Sequence, residues 1–162
     1  VAAVSDTAGI VLDCSAALAL FLDDEQPALA LAVLDALPDR DFWIPILWHS
    51  EFANALLMAQ RRRRLTPARA QQILAQSARL PLQLDMDTPA PARLFELASM
   101  HELTAYDATY FELAQRRGLA LATLDKALAA SAGGAGIALF DGRTRARSVN
   151  EGRPPYRKRQ RP

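Results

Sequence analysis

Four carboxylates occupy places where an acid is costly. Asp13 closes the run GIVLD, Glu51 lies in HSEFANAL, Asp107 in LTAYDATYFELA and Asp125 in LATLDKAL. Each borders apolar residues, where an unpaired charge is expensive to desolvate. Two unit charges about 5 Å apart at an effective dielectric near 20 repel by roughly 3 kcal/mol, so acids gathered on one rim call for a counter-charge. Lys126, one residue past Asp125, is the single cation at an equivalent position. His49 and His101 stand alone, not at ligand spacing, and read as non-catalytic. An all-oxygen donor set favours Mg²⁺, or Mn²⁺, over zinc, and Mg²⁺ keeps waters and sits with substrate phosphates.

The elements that must position these acids alternate. Gly9–Asp13, Phe42–Ile44, Leu82–Met86, Leu119–Leu124 and Ile137–Phe140 read as short strands. Ser15–Leu22, Gln26–Leu37, Leu47–Arg63, a helix starting at Thr66-Pro67, and helices over about 90–101 and 105–117 carry helical spacing between them. Thr66 is the expected N-cap with Pro67 in the first turn, and Gly118 closes the helix over 105–117. Strand–helix alternation without two-residue hairpin signals predicts an α/β layered domain with a mainly parallel sheet. Ligands of such sheets bind beyond the carboxyl ends of the strands. Asp13 and Asp125 end strands there, while Glu51 and Asp107 lie in first turns of helices that start from that edge, so the alternation alone brings the four together.

Taken together, IVLDCSAAL, HSEFANAL with its Glu51-x-x-Asn54, LTAYDATYFELA and LATLDKAL resemble the four motifs of PIN-domain nucleases, above all the ribonuclease toxins of bacterial VapBC toxin–antitoxin pairs. The resemblance covers residues 9–140. It implies a three-layer α/β/α fold with a five-stranded, mainly parallel sheet of order 3-2-1-4-5. It implies a Mg²⁺-dependent endoribonuclease in which Asp13, Glu51, Asp107 and Asp125 hold one or two metal ions, Asp125 through water. Bound metal would lower the pKa of a water for attack on the phosphate. A cognate antitoxin, presenting Arg to the acids, and a homodimer formed by helices away from the active rim are the implied partners. A cytoplasmic location goes with them.

Each residue also has a plainer reading. Asp107 can simply complete a capping box with Thr104, Glu51 can be a solvated first-turn acid, and Asp125 can cap the helix that follows it. Ser15 caps the first helix or orients Asp13 or a metal-bound water. Asn54 shares a helix face with Glu51 and supports it or makes a structural hydrogen bond. Thr123 reads as structural or as supporting the acids. Cys14, on the opposite side of the strand from Asp13, reads as a small buried apolar residue. Arg61, Arg62, Arg63 and Arg64 close a helix, where the dipole alone favours cations, or contact RNA.

Composition sets the frame. The 162 residues are 51% apolar, enough for one core. The run GIVLDCSAALALFL is broken by Asp13 and Ser15, so no membrane span is expected. No secretory signal is read in VAAVSDTAG, and one cysteine allows no internal disulfide, which fits a reducing compartment. The net charge of +1 divides unevenly: residues 143–162 carry eight bases and one acid, a net of +7, leaving −6 in residues 1–142. The expected division is a nuclease domain over 1–142 and a flexible basic tail over 143–162, which either binds phosphates or is inert.

Other classes fit less well. A catalytically silent PIN-fold RNA-binding or adaptor protein gains nothing from clustered repelling acids. An aspartyl-phosphate phosphatase wants a second Asp two residues after the first, where this chain has Ser15. A receiver domain wants paired acids after the first strand, and no Gly-x-x-x-x-Gly-Lys phosphate loop occurs.

Overall fold

The structure is a computed structural model that describes residues 9–22 and 27–142. The basic tail 143–162 lies outside the described residues. Among the described residues four strands form one parallel sheet in the order β3-β2-β1-β4: β1 (Ile10–Leu12), β2 (Phe42–Pro45), β3 (Leu82–Asp85) and β4 (Ala120–Ala122). Ile10, Val11 and Leu12 are all fully buried. Successive strand residues point to opposite faces, so the sheet is covered on both sides, as a parallel sheet must be. Burying each such side chain stabilises the fold by about 1.5–3 kcal/mol.

The chain enters β1 through Gly9 because nothing larger fits. A Cβ there would lie 2.9 Å from both the Asp41 carbonyl oxygen and Trp43 Cδ1. The fifth expected strand, Ile137–Phe140, contributes a single parallel bridge, Leu121 to Leu139. It is held by Leu121 N–H to the Ala138 carbonyl (2.8 Å) and Phe140 N–H to the Leu121 carbonyl (2.9 Å). Leu121 also pairs with Val11 in β1, so Leu139 lies on the outer edge of β4 and continues the order 3-2-1-4-5. The segment follows the turn at Gly136 (φ 79°), and no longer ladder forms among the described residues.

Among the described residues seven helices connect and cover the strands: α1 (Cys14–Leu18), α2 (Pro27–Ala36), α3 (Leu47–Arg61), α4 (Pro67–Ser77), α5 (Pro91–His101), α6 (Ala105–Arg117) and α7 (Lys126–Gly134). α6 lies across β1, β2 and β4 and also packs on α5 and α7. Its termini behave as the sequence indicates: Thr104 is the N-cap and Gly118, at φ 64°, the left-handed C-cap. Thr66 caps α4 by accepting Arg69 N–H, with Pro67 in the first turn. α1 differs from expectation. It begins at Cys14, directly after Asp13 as N-cap, and ends at Leu18. Cys14 is therefore helical and does not continue the strand opposite Asp13.

At the β3 edge, Asp85 is almost fully buried between two arginines. Arg116 and Arg117 each donate to one of its oxygens at 2.5 Å. Burial alone would raise the carboxyl, but the hydrogen bonds and charges of both guanidinium groups hold it below the ordinary range. The Arg117 guanidinium also lies over the Trp43 ring, 4.0 Å from its centroid. This network ties the C-terminal end of α6 to β2 and β3, fixing how α6 lies on the sheet.

Candidate active site

Asp13 leaves β1 at the switch point of the sheet, between β2 on one side and β4 on the other. Two hydroxyls converge on its Oδ2: Ser15, from the first turn of α1, and Thr123, which follows β4 and donates at 2.7 Å. Each hydroxyl oxygen also accepts a backbone N–H from the turn after β4, Leu124 to Ser15 (2.9 Å) and Asp125 to Thr123 (3.0 Å). Asp13 is thus held from the helix that follows it and from the segment after β4.

Glu51 is placed by α3. Trp48, Phe52 and Leu56 form the buried stripe of that helix, at intervals of four, with Trp48 and Phe52 stacked 4.6 Å apart. Glu51 precedes Phe52 and is left half-buried on the flank of this stripe. There it accepts a short hydrogen bond from the hydroxyl of Tyr110, a fully buried residue of α6. Asp107 is one helical turn before Tyr110 on α6. It forms a complete capping box with Thr104: Asp107 N–H donates to Thr104 Oγ1 (3.1 Å), and Asp107 Oδ2 accepts from Thr104 Oγ1 (2.6 Å) and N–H (3.4 Å).

These three acids act on one another. Burial raises the Asp13 carboxyl above its usual range, against the pull of Ser15 and Thr123, and the Asp107 charge adds to the rise. Burial raises Glu51 as well, opposed by the Tyr110 hydroxyl and assisted by the charges of Asp13 and Asp107. Among the described residues none of the three is in an ion pair. Asp125 stands apart. It caps α7 by accepting Leu128 N–H at 2.8 Å, and the charges that shift Asp13 and Glu51 do not include it. Among the described residues, no three His, Cys, Asp or Glu side chains close into a ready-made protein ligand set.

A cleft of about 420 Å³ opens beside Glu51, lined by Cys14, Ser50, Asn54, Ala55 and Tyr106 among others. Cys14 faces it as a buried thiol pushed up to about 12, by burial first and then by the Asp13 and Glu51 charges. That keeps it protonated and poorly nucleophilic. Asn54 lines the cleft one turn after Glu51, and its amide has no hydrogen-bond partner among the described residues. Arg61, Arg62, Arg63 and Arg64 are exposed at the far end of α3, about 15 Å along the helix from Glu51. His49 sits exposed on α3, and the His101 ring packs against Phe111 with centroids 4.4 Å apart.

The structure therefore brings together Asp13, Glu51 and Asp107, with Ser15 and Thr123 bonded to the first. Tyr110 was not singled out in the sequence, although it falls at the i+3 position from Asp107, where side chains of one helix face meet.

The profile of the PIN domain family matches residues 10–134. The chain belongs to the PIN-domain family. It is 34% identical over 116 residues to Ribonuclease VapC9 of Mycobacterium tuberculosis strain H37Rv and to VapC ribonuclease Mb0985 of Mycobacterium bovis. The alignment spans 72% of this chain and 85% of each relative. Among solved structures it is similar to PAE2754 from Pyrobaculum aerophilum, with a TM-score of 0.60 and 27% identity, covering 76% of this chain and 79% of that one. FitAcB from Neisseria gonorrhoeae shares the fold at a TM-score of 0.58 and 17% identity, covering 82% of this chain and 97% of its own. The PIN domain is thus a VapC-like one, on a parallel sheet whose switch point carries the acids.

Proposed function

We propose that this PIN domain is a Mg²⁺-dependent endoribonuclease and the toxin of a VapBC-type toxin–antitoxin pair. The observation that carries the reading is the group of Asp13, Glu51 and Asp107 beside an open cleft, in which the Asp107 charge helps to raise the other two carboxyls and none of the three has an ion-pair partner among the described residues. The donor set fits a hard divalent ion: it is all oxygen, it is anionic, and it gains stability from any cation placed among its members. Asp13, Glu51 and Asp107 would hold Mg²⁺, or Mn²⁺, with water completing the shell, and Asp125 would reach it through water. A bound ion of this kind supplies Lewis acidity at the phosphate and a water of lowered pKa. Ser15 and Thr123 hold the Asp13 carboxylate by Oδ2, and Tyr110 fixes the rotamer of Glu51.

The nuclease unit is residues 1–142, with 143–162 a basic tail. Arg61 to Arg64, at the far end of α3, extend a track for the RNA backbone. Partners are single-stranded RNA, an antitoxin whose Arg pairs bidentately with the acids, and a second copy of the chain. Among the described residues no helix is long and apolar enough to cross a membrane, and a VapBC-type toxin works in the cytoplasm.

Purified protein with Mg²⁺ or Mn²⁺ is expected to cut RNA internally, to stop in EDTA, and to be inactive as Asp13→Asn. Equal cleavage after exhaustive chelation would overturn the metal assignment. RNA binding without cleavage under any divalent ion would make the protein a silent binding form of the fold.

A further inference from the structure

The cleft beside Glu51 has more wall than the acids use. Tyr106 is one of its lining residues and is 61% exposed, and its hydroxyl has no hydrogen-bond partner among the described residues. α3 presents the unpartnered amide of Asn54 and the hydroxyl of Ser50. Ser50 donates its proton to the Leu47 carbonyl at 2.9 Å, which leaves the hydroxyl oxygen able to accept. Leu47, Ala55, the Glu51 carboxylate and the thiol of Cys14 complete the lining. No lysine or arginine lines the cleft, so it has nothing to recommend it to a phosphate. An exposed aromatic ring, a few apolar side chains and the neutral donors and acceptors of Asn54 and Ser50 suit a flat heterocycle instead. The volume, about 420 Å³, falls in the range of small-ligand pockets.

We propose that this cleft is a base subsite: it takes one unpaired nucleobase flanking the scissile phosphodiester, stacked on Tyr106 and read at its edge by Asn54. The inference rests on the ribonuclease reading above. Unpaired RNA bases are characteristically splayed out, stacked on aromatic side chains and hydrogen-bonded on their edges. The chain itself ties the subsite to the chemistry. Tyr106 adjoins Asp107, and Asn54 lies one turn from Glu51, so a base seated here delivers its own sugar–phosphate to the acids. The Asn54 amide offers one acceptor and two donors, which selects a base with a donor beside an acceptor on the exposed edge.

The test is cleavage of a random-sequence single-stranded RNA pool with Mg²⁺, sequencing the new ends, by the wild type, Tyr106→Phe, Tyr106→Ala and Asn54→Ala. Wild type and Tyr106→Phe are expected to show a sharp base preference at one position next to the cut. Tyr106→Ala should lower kcat/KM on the preferred sequence by about 10-fold or more through lost stacking. Asn54→Ala should flatten the preference while cleavage continues. A parallel filter-binding series compares an RNA strand with the same strand made abasic at that position, using Asp13→Asn protein. Where cleavage fixes no position, the abasic site is walked along the strand. Tyr106→Ala added to Asp13→Asn should abolish discrimination against the abasic strand. If Tyr106→Ala keeps the wild-type kcat/KM on the preferred sequence, or Asn54→Ala keeps the wild-type preference, the subsite is refuted while the nuclease stands. If the wild type cuts no RNA, the nuclease reading falls, and equal binding of intact and abasic strands then refutes the subsite as well.

Discussion

Asp107→Asn separates a metal-binding acid from a helix cap by the sign of one number. Asp107 does cap: its Oδ2 accepts the Thr104 hydroxyl at 2.6 Å, and its N–H returns a bond to Thr104 Oγ1 at 3.1 Å. Asparagine keeps a carbonyl oxygen for the first bond and leaves the second untouched. What it removes is a negative charge at a helix N-terminus, worth about 0.3–1 kcal/mol. It also removes the repulsion that Asp107 exerts on Asp13 and Glu51. At an effective dielectric near 20, each such repulsion is on the order of 2 kcal/mol, or about 4 kcal/mol in all. Solvent beside the partly exposed Asp107 screens this to about half or less. The balance favours the variant by about 1 kcal/mol in the metal-free protein, which in a domain of this size raises Tm by about 2–4 °C. RNA cleavage should be lost, and added Mg²⁺ should raise the Tm of the wild type more than that of the variant. Thermal melts in EDTA and in Mg²⁺, with a cleavage assay on the same preparations, decide the matter. A variant that melts lower in EDTA, gains as much from Mg²⁺ and still cuts RNA would show that Asp107 is a cap and nothing more.

Three further outcomes are expected. Tyr110→Phe removes the hydroxyl that holds Glu51 while keeping a ring that is fully buried; Mn²⁺ affinity by calorimetry should fall about 10-fold or more, and unchanged affinity would show that the bond orients nothing. Asp85→Ala strips the shared partner from Arg116 and Arg117; because both arginines keep 32% side-chain exposure and can rehydrate, the expected loss is about 2–3 kcal/mol by urea titration, below the value for a fully buried pair. The third concerns pH. Asp13 is raised in the folded protein, so its contribution favours the fold below the unfolded carboxylate value, about 3.9, and is lost as pH rises through the folded value. In EDTA, Asp13→Asn should therefore gain on the wild type as pH climbs from about 4 towards 7, and a gap that narrows over that range would contradict the shift.

The candidate site was legible in the sequence to the extent that backbone geometry dictates it. A strand ending in Asp13, and a helix start carrying Asp107 near a threonine, are patterns in which residue type and element boundary coincide, and the fold brings the two within electrostatic reach of each other. Ser15 could be paired with Asp13, two positions before it, whereas Thr123, two positions before Asp125, could be read only as structural or as supporting the acids. Tyr110 could not be read this way, since a buried tyrosine in an apolar helix face looks like core until its hydroxyl finds an acceptor on another helix. Cys14 was misplaced because one residue decides whether the chain after Asp13 remains extended or turns helical. The fifth strand was over-read: Ile137–Phe140 has strand composition, yet pairing depends on how much of β4 it can reach, and that is one residue. The buried Asp85 gave no local signal, because its partners come 31 and 32 residues later.

The hydroxyl pair on Asp13 also has a consequence in time. Thr123 lies 110 residues downstream of the carboxylate it binds, and β4, which flanks β1, is the last strand to be made. A ribosome adding about 5–20 residues per second needs roughly 5–20 s to cover that interval. Through all of it the growing chain carries Asp13, and later Glu51 and Asp107, without the strand that fixes one side of the site. Sequence order thus acts as a delay: a truncated or stalled product ending before residue 120 has the acids but not the clamp that holds the first of them.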